Sequence, residues 1–137
     1  MITRKQLVLA WVALLFLSGC ANDDPVVGPY PKTGKASWYS AKITVTGEKF
    51  SDNDLTCAIR KTDFGKYYNI CNTANNKCVT VRHNNFGPSK RLYDRGRIID
   101  LSRAAFLQIA DLEEGIINIR VDEVSEKTGN LPESASP

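Results

Sequence analysis

The chain has 137 residues, of which 18 are Lys or Arg and 15 are Asp or Glu, so its net charge is only +3. A chain of this length accommodates one domain and is too short for two. Because Arg4 and Lys5 belong to an N-terminal leader, the remainder is nearly neutral, which argues against nucleic-acid binding and is compatible with an uncharged polymer as partner.

Residues 1–19 have the pattern of a secretory signal peptide. Two basic residues precede an apolar run over 7–17, which is too short for a membrane-spanning helix of about 20 residues. The lipobox Leu-Ser-Gly-Cys predicts that Cys20 carries palmitate-type acyl chains and anchors the chain in a membrane. The alternative is an ordinary cleaved signal peptide with a chance cysteine. The residue after Cys20 is Ala21 and not Asp, as in enteric lipoproteins that are exported to the outer membrane. We therefore expect the chain to be anchored at the periplasmic face of that membrane.

The rest of the chain divides into a tether, one domain and a tail. Residues 20–33 carry the lipidated cysteine and several Pro, Gly and Asp residues, which is typical of a flexible tether. Residues 125–137 are polar and end on Pro137, a composition that predicts a disordered tail. The predicted domain covers residues 34–124.

Short strand-like runs separated by turns predict a mainly β domain, a small barrel. The strands are predicted at Lys35–Tyr39, Tyr67–Cys71, Lys77–His83 and Ile116–Val121.

One helix is predicted in the second half of the domain. Either Ser102 or Asp100 is suited to cap it. Leu101, Ala105 and Ile109 recur at helical spacing and would form its buried face.

The chain has four cysteines, and Cys20 is assigned to lipid. The turn residues at 72–76 predict a hairpin in which Cys71 lies opposite Cys78, within disulfide range in an oxidising compartment. A disulfide from Cys57 to either of them is the competing pairing. The single His and the scattered Cys have no zinc spacing, and there is no phosphate loop or nucleophile elbow. We expect no cofactor, no metal, no nucleic-acid partner and a monomer.

Four segments resemble, in order, motifs of the rare lipoprotein A family. They are Gly34-Lys-Ala-Ser-Trp-Tyr39, Thr46-Gly-Glu-Lys-Phe50, Val81-Arg-His-Asn-Asn-Phe-Gly-Pro88 and Arg97-Ile-Ile-Asp-Leu-Ser-Arg-Ala-Ala105. The resemblance covers residues 34–124 and implies a six-stranded double-psi β-barrel with one or two short helices. It also implies a lytic transglycosylase that cleaves peptidoglycan glycan strands and leaves an anhydro end. The segment that starts at Asp100 is similar to the barrel domain of expansins, which loosen cell walls.

The resemblance also indicates candidate catalytic residues. The family's Asp falls on Asn85 and its His on Ile59, so neither group is at its expected position. Asp100 matches the Asp on which expansin activity depends, with a helix cap as its alternative role. Glu48 is a second candidate, or else a surface carboxylate. His83 precedes Asn85 by two residues, so in a regular strand both would leave the same face; a buried, hydrogen-bonded His is its alternative role.

Candidate substrate-binding residues are Trp38, Tyr39, Asn85 and Arg97. Trp38 and Tyr39 are adjacent in a strand, so one would fill the barrel while the other lines a groove for sugar rings. Arg97 ends a basic segment that would bind carboxylates of peptidoglycan or form a solvated loop.

Three hypotheses about function follow. The first is a peptidoglycan lytic transglycosylase with its chemistry rearranged around Asp100, Glu48 and His83. The second is a non-catalytic, expansin-like wall-binding protein. The third is a structural lipoprotein that has kept only the barrel, for example one recruited by a mobile element.

Overall fold

The computed structural model describes residues 23–125, so the predictions on Cys20, on the signal peptide and on the tail beyond residue 125 fall outside the described residues. Within that range, six strands close a barrel in the order β1-β5-β2-β4-β3-β6. The strands are β1 (Thr33–Trp38), β2 (Thr56–Ile59), β3 (Tyr67–Asn72), β4 (Cys78–Phe86), β5 (Arg97–Leu101) and β6 (Ile116–Val124). Two short helices, α1 (Lys90–Tyr93) and α2 (Arg103–Leu107), and a 3-10 turn at Leu112–Glu114 lie between strands. In the described range no helix is long and apolar enough to cross a membrane.

The barrel combines parallel and antiparallel pairs. β1 pairs with β5 and β2 pairs with β4 in parallel, whereas the other neighbouring strands are antiparallel. Alternate residues of each strand fill the interior, as Ile117, Ile119 and Val121 of β6 do. The prediction of a mainly β, six-stranded double-psi barrel with short helices is confirmed.

The β3–β4 hairpin has the register that its turn residues predicted. Cys71 pairs directly with Cys78, and a disulfide joins them. Cys57 is buried and unpaired in β2, so the competing pairing is not present. The disulfide therefore fastens one end of the hairpin covalently.

Two elements differ from the sequence-based expectation. β2 was not predicted, because all four of its residues are buried and it has no alternating pattern. β5 contains Asp100, one of the two predicted caps, and Leu101, which was predicted to line the helix. The helix α2 instead begins after Ser102, whose hydroxyl accepts a hydrogen bond from the Ala105 amide at 3.3 Å. Of the two predicted caps, Ser102 is the one observed, and Asp100 is not a cap because pairing with β1 and β2 keeps its segment extended.

The segment before β1 lies against the barrel, where the sequence predicted a flexible tether. Arg60, only 1% exposed, donates hydrogen bonds to the carbonyls of Asp24 at 2.6 Å and Pro88 at 2.9 Å. It also forms an ion pair with Asp23 at 3.2 Å and lies 5.0 Å from the ring centroid of Phe86. Arg60 thus joins the N-terminal segment to the loop that follows β4.

Replacing this arginine tests how much that connection stabilises the fold. Arg60→Ala should lower the free energy of unfolding by about 2–3 kcal/mol, because two carbonyls lose a charged donor and a packed side-chain stem is removed. Lys61→Ala is the matched control, since within the described part of the chain Lys61 donates one exposed hydrogen bond, to the Gly28 carbonyl; it should change stability by about 0.5 kcal/mol or less. Equilibrium urea unfolding gives both values, and equal effects of the two changes would contradict the prediction.

Candidate active site

A row of residues crosses four neighbouring strands on the outer face of the barrel. Ser37 of β1 pairs with Asp100 of β5, Asp100 pairs with Ala58 of β2, and Ala58 pairs with Asn85 of β4. Directly paired residues share a face of the sheet, and the residues that flank Asp100 and Ala58 in their strands belong to the core. We call Ser37, Asp100, Ala58 and Asn85 the Asp100 row.

Asp100 is held at one carboxylate oxygen and left open at the other. Its Oδ1 accepts hydrogen bonds from Ser37 Oγ at 2.9 Å and from Arg97 Nε at 2.7 Å, and the Arg97 guanidinium completes an ion pair. Among residues 23–125, no donor bonds Oδ2. The side chain keeps 12% of its surface exposed. The contacts of Oδ1 therefore fix the orientation of the carboxyl group, and Oδ2 is available to a ligand.

Gly87 leaves space above that free oxygen. A Cβ at this position would lie 3.8 Å from Asp100 Oδ2 and 3.6 Å from the Ala58 side chain. Its φ of +156° is rarely adopted by residues with a side chain. The glycine in the Gly87-Pro88 pair thus keeps the approach to Asp100 open.

Asn85, at the other end of the row, is hydrogen-bonded through both its amide oxygen and its amide nitrogen. Its Oδ1 accepts from the Val45 amide at 2.9 Å and the Phe86 amide at 3.0 Å, and its Nδ2 donates to the Tyr39 hydroxyl at 3.2 Å. Burial raises the pKa of Tyr39 to about 12, so its hydroxyl stays protonated at neutral pH and is able to donate as well as accept. Three donors can therefore converge on position 85.

Glu48 does not join this row. Arg82 binds both of its carboxylate oxygens, at 2.6 and 3.1 Å, and this pairing holds the pKa of Glu48 below its usual range. Glu48 is half-exposed and has no hydrogen bond or ion pair with Asp100. Both carboxylate oxygens of Glu48 are thus occupied by Arg82, and neither is open to a ligand.

His83 does not share a face with Asn85, which corrects the sequence-based expectation. The β2–β4 register shifts between Cys57 and Ala58, so that Cys57 pairs with His83 and Ala58 pairs with Asn85. This bulge turns His83, which is 0% exposed, towards the rings of Phe64 and Tyr68. Burial lowers its pKa, and its Nε2 lies 2.9 Å from the Asn85 carbonyl oxygen. It is a neutral, buried side chain at pH 7.

Of the remaining residues that the sequence indicated, some contact the Asp100 row and others lie apart from it. Arg97 and Tyr39 contact the row directly, through Asp100 and Asn85. Trp38 is partly exposed at the end of β1 and donates a hydrogen bond to the Leu112 carbonyl at 3.2 Å. Ile59, where the family has its His, is fully buried.

Sequence reasoning missed two contributors to the site, Ser37 and Gly87. Both lie inside the motifs that carried the family resemblance, Ala-Ser-Trp-Tyr and Gly-Pro, but neither is titratable. Within residues 23–125, no cluster of three His, Cys, Asp or Glu side chains is arranged to hold a metal ion.

Comparison with known proteins identifies the family. The family model described as lytic transglycolase matches residues 31–121. This chain belongs to the lytic transglycolase family. The endolytic peptidoglycan transglycosylase RlpA of Vibrio cholerae is 35% identical over 100 residues, which cover 70% of this chain and 36% of that protein. The probable endolytic peptidoglycan transglycosylase RlpA of Synechocystis is 38% identical over 97 residues, covering 68% and 29%.

Solved structures share the fold. An expansin of Clavibacter michiganensis superposes with a TM-score of 0.53 at 19% identity, covering 72% of this chain and 52% of that one. The Streptomyces papain inhibitor has a TM-score of 0.52 at 25% identity, covering 72% and 98%. The predicted resemblance to rare lipoprotein A proteins, with expansin-like features, is confirmed. The chain spans about a third of the length of the curated relatives it matches.

Proposed function

We propose that this chain is a peptidoglycan-directed protein whose barrel binds glycan strands across the Asp100 row and cleaves them by lytic transglycosylation. Family membership supports the substrate, because the curated relatives are named endolytic peptidoglycan transglycosylases. The observation that carries the proposal is that Oδ2 of Asp100 has no hydrogen-bond donor within residues 23–125 and faces the opening left by Gly87.

The chemistry needs one proton delivered and one proton removed. A carboxylic acid protonates the glycosidic oxygen as the bond to the sugar breaks, and the resulting carboxylate then takes a proton from a hydroxyl of the same sugar. That hydroxyl closes the anhydro ring, so no water is consumed and the carboxyl group returns to its starting form. A single residue can perform both steps, and we assign both to Asp100 Oδ2. Ser37 and Arg97 hold Oδ1 and so fix the direction of Oδ2.

A second candidate function is binding without cleavage, as in expansins. The observation that favours it is that Asn85 of the row replaces the family's Asp, while Ile59, buried in the core, replaces its His. Neither Glu48 nor His83 supplies a second proton-transfer group to the row. The solved expansin complex with cellohexaose is a fold neighbour with a TM-score of 0.52 and 18% identity, and it concerns a different glycan.

The cellular place of the chain is part of the proposal. The lipobox around Cys20 supports a lipid anchor, and Ala21 after it supports the periplasmic face of the outer membrane. There the barrel would meet peptidoglycan as a monomer. Acyl-chain analysis by mass spectrometry of the N-terminal peptide tests the anchor, and an unacylated cysteine would refute it.

The two candidate functions are separated by one pair of measurements. The full chain in detergent micelles is incubated with peptide-free glycan strands, and anhydro-ended fragments are quantified by mass spectrometry. Sedimentation with purified sacculi is measured in parallel. Fragments together with sedimentation support the transglycosylase, whereas sedimentation without fragments supports the binding protein. The absence of both would overturn both functions.

Closing the opening above Asp100 should weaken glycan binding. Gly87→Ala places a methyl group over Oδ2, and we expect affinity for glycan strands to fall about tenfold or more. Gly65→Ala is the matched control, because Gly65 also has a positive φ, +91°, and open space where its Cβ would lie. The backbone strain is then similar in the two variants, of about 1 kcal/mol. If both variants bind glycan strands equally well, the opening above Asp100 is not the binding site.

A further inference from the structure

A recess opens on the outer surface of the barrel next to the Asp100 row. Its volume is about 340 Å³. Lys35, Ile116 and Asn118 contribute from β1 and β6, while Asn72, Ala74 and Glu114 close its ends. The sequence motifs and the proposed mechanism assign no role to this recess.

The strand register connects the recess to Asp100. Ile116 pairs with Ser37, and Ser37 pairs with Asp100, so all three residues share the outer face. The two residues are separated by two strand spacings of about 4.8 Å each, so Ile116 lies about 10 Å from Asp100. In the same way Lys35 pairs with both Asn118 and Arg97. The recess is therefore close enough to Asp100 for one bound glycan strand to contact both.

The recess combines the Lys35 ammonium, the side-chain amide of Asn118, the carboxylate of Glu114 and an apolar edge, whereas the buried amide of Asn72 bonds the protein itself. Among residues 23–125, Lys35 forms no ion pair, whereas Arg97 beside it is neutralised by Asp100. Glu114 is held in a capping box at the 3-10 turn, where its Oε2 accepts from the Asp111 amide at 2.9 Å. Ile116 is 54% exposed and offers apolar surface to a ligand.

These features match a sugar that carries a carboxylate. An exposed ammonium binds a carboxylate by a charge-assisted hydrogen bond, side-chain amides bind hydroxyl and acetamido groups, and an aliphatic edge packs against a ring face. In peptidoglycan glycan strands, muramic acid carries a lactyl carboxylate, which is free when no stem peptide is attached. The alternating N-acetylglucosamine carries none.

We infer that this recess is an outer glycan subsite in which Lys35 binds the lactyl carboxylate of a muramic acid residue. The inference rests on the proposed function, since it assumes that a glycan strand lies across the Asp100 row. The role of Lys35 is to select the sugar that is bound, and it does not contact the reacting atoms. It allows the barrel to distinguish peptidoglycan strands from an uncharged glycan with the same backbone linkage.

The test compares two glycans that differ in the carboxylate. The full chain in micelles is titrated with peptide-free peptidoglycan strands and with chitin oligosaccharides of equal length, and dissociation constants are measured by calorimetry. We expect the wild type to bind the peptidoglycan strands about tenfold more tightly than chitin. The preference should shrink as salt is added, because the Lys35 ammonium is exposed.

Three variants assign the preference to Lys35. Lys35→Gln should remove the preference and leave chitin affinity unchanged, whereas Lys35→Arg should retain it. Lys77→Gln removes another exposed lysine that does not line the recess, and it should bind like the wild type. The subsite is refuted if Lys35→Gln keeps the preference, or if it weakens binding to both glycans equally. A wild type that binds both glycans with equal affinity also refutes the subsite but leaves the proposed function standing, whereas a wild type that binds neither refutes both.

Discussion

Asp100→Asn should reduce the release of anhydro-ended fragments by about 10²–10⁴-fold or more, because an amide cannot deliver and recover a proton as the proposed mechanism requires. The replacement keeps the shape of the side chain. The amide oxygen of the asparagine can still accept the hydrogen bond from Ser37 Oγ, which lies 2.9 Å from Asp100 Oδ1 in the wild type. Sedimentation with sacculi should therefore change by only a few fold. Fragment release is measured by mass spectrometry, and binding is measured on the same preparation.

The control for this change is Asp94→Asn. Like Asp100, Asp94 forms an ion pair with a basic residue a few positions before it in the chain, here Lys90 at 2.6 Å. Asp94 lies in the exposed region after α1. Its replacement should leave fragment release unchanged. Asp100→Asn should cost about 1–2 kcal/mol of stability because Arg97 loses its charged partner, so folding is verified by thermal unfolding. Undiminished fragment release by Asp100→Asn would overturn the assignment of Asp100 as the catalytic acid and base.

Asn85→Asp should raise fragment release by about tenfold or more, because a well-placed acid or base can contribute roughly 10²–10⁴-fold. The environment of position 85 already suits a carboxylate, because the Val45 and Phe86 amides and the Tyr39 hydroxyl can all donate to it. The new carboxylate would face Asp100 across Ala58, with which both positions pair. It could take the proton from the sugar hydroxyl while Asp100 protonates the leaving oxygen.

A surface change of the same kind controls for the added charge. Asn53→Asp introduces a carboxylate in an exposed loop, and we expect no effect on fragment release. An Asn85→Asp variant that stays at the wild-type rate would contradict the prediction and would mean that a second carboxylate at this position takes no part in the chemistry. Together with Asp100→Asn, the variant distinguishes a slow enzyme from a binding protein that one substitution converts into an enzyme.

The local parts of the fold could be read from the sequence because short-range interactions determine them. The turn residues between β3 and β4 set the hairpin register, so Cys71 and Cys78 were expected to meet before any tertiary information was used. The alternation of Ile117, Ile119 and Val121 with polar residues identified β6 in the same way, because apolar residues at every second position indicate a strand with one buried face. In contrast, Asp100 and Leu101 resembled the start of a helix, and only pairing with two other strands makes them part of β5.

The site was predicted as a set of residues but not as a geometry. Asp100, Arg97, Tyr39 and Asn85 were all candidates, and all contribute to the Asp100 row or contact it. His83 was also a candidate, because a regular strand would have aligned it with Asn85. A single bulge in β4 reverses that alignment, and no local sequence signal marks it.

The sequence by itself determined that this is a β-barrel of the lytic transglycolase family with an amide in place of an expected acid, because motifs, turns and alternating burial are encoded over a few neighbouring residues. The tertiary structure alone decided which carboxylate keeps an oxygen without a donor among residues 23–125. Asp100 keeps an open oxygen because β1, β5 and the Gly87 loop meet around it, whereas Glu48 is taken by Arg82. These contacts join residues far apart in the chain, so they exist only once the barrel has closed.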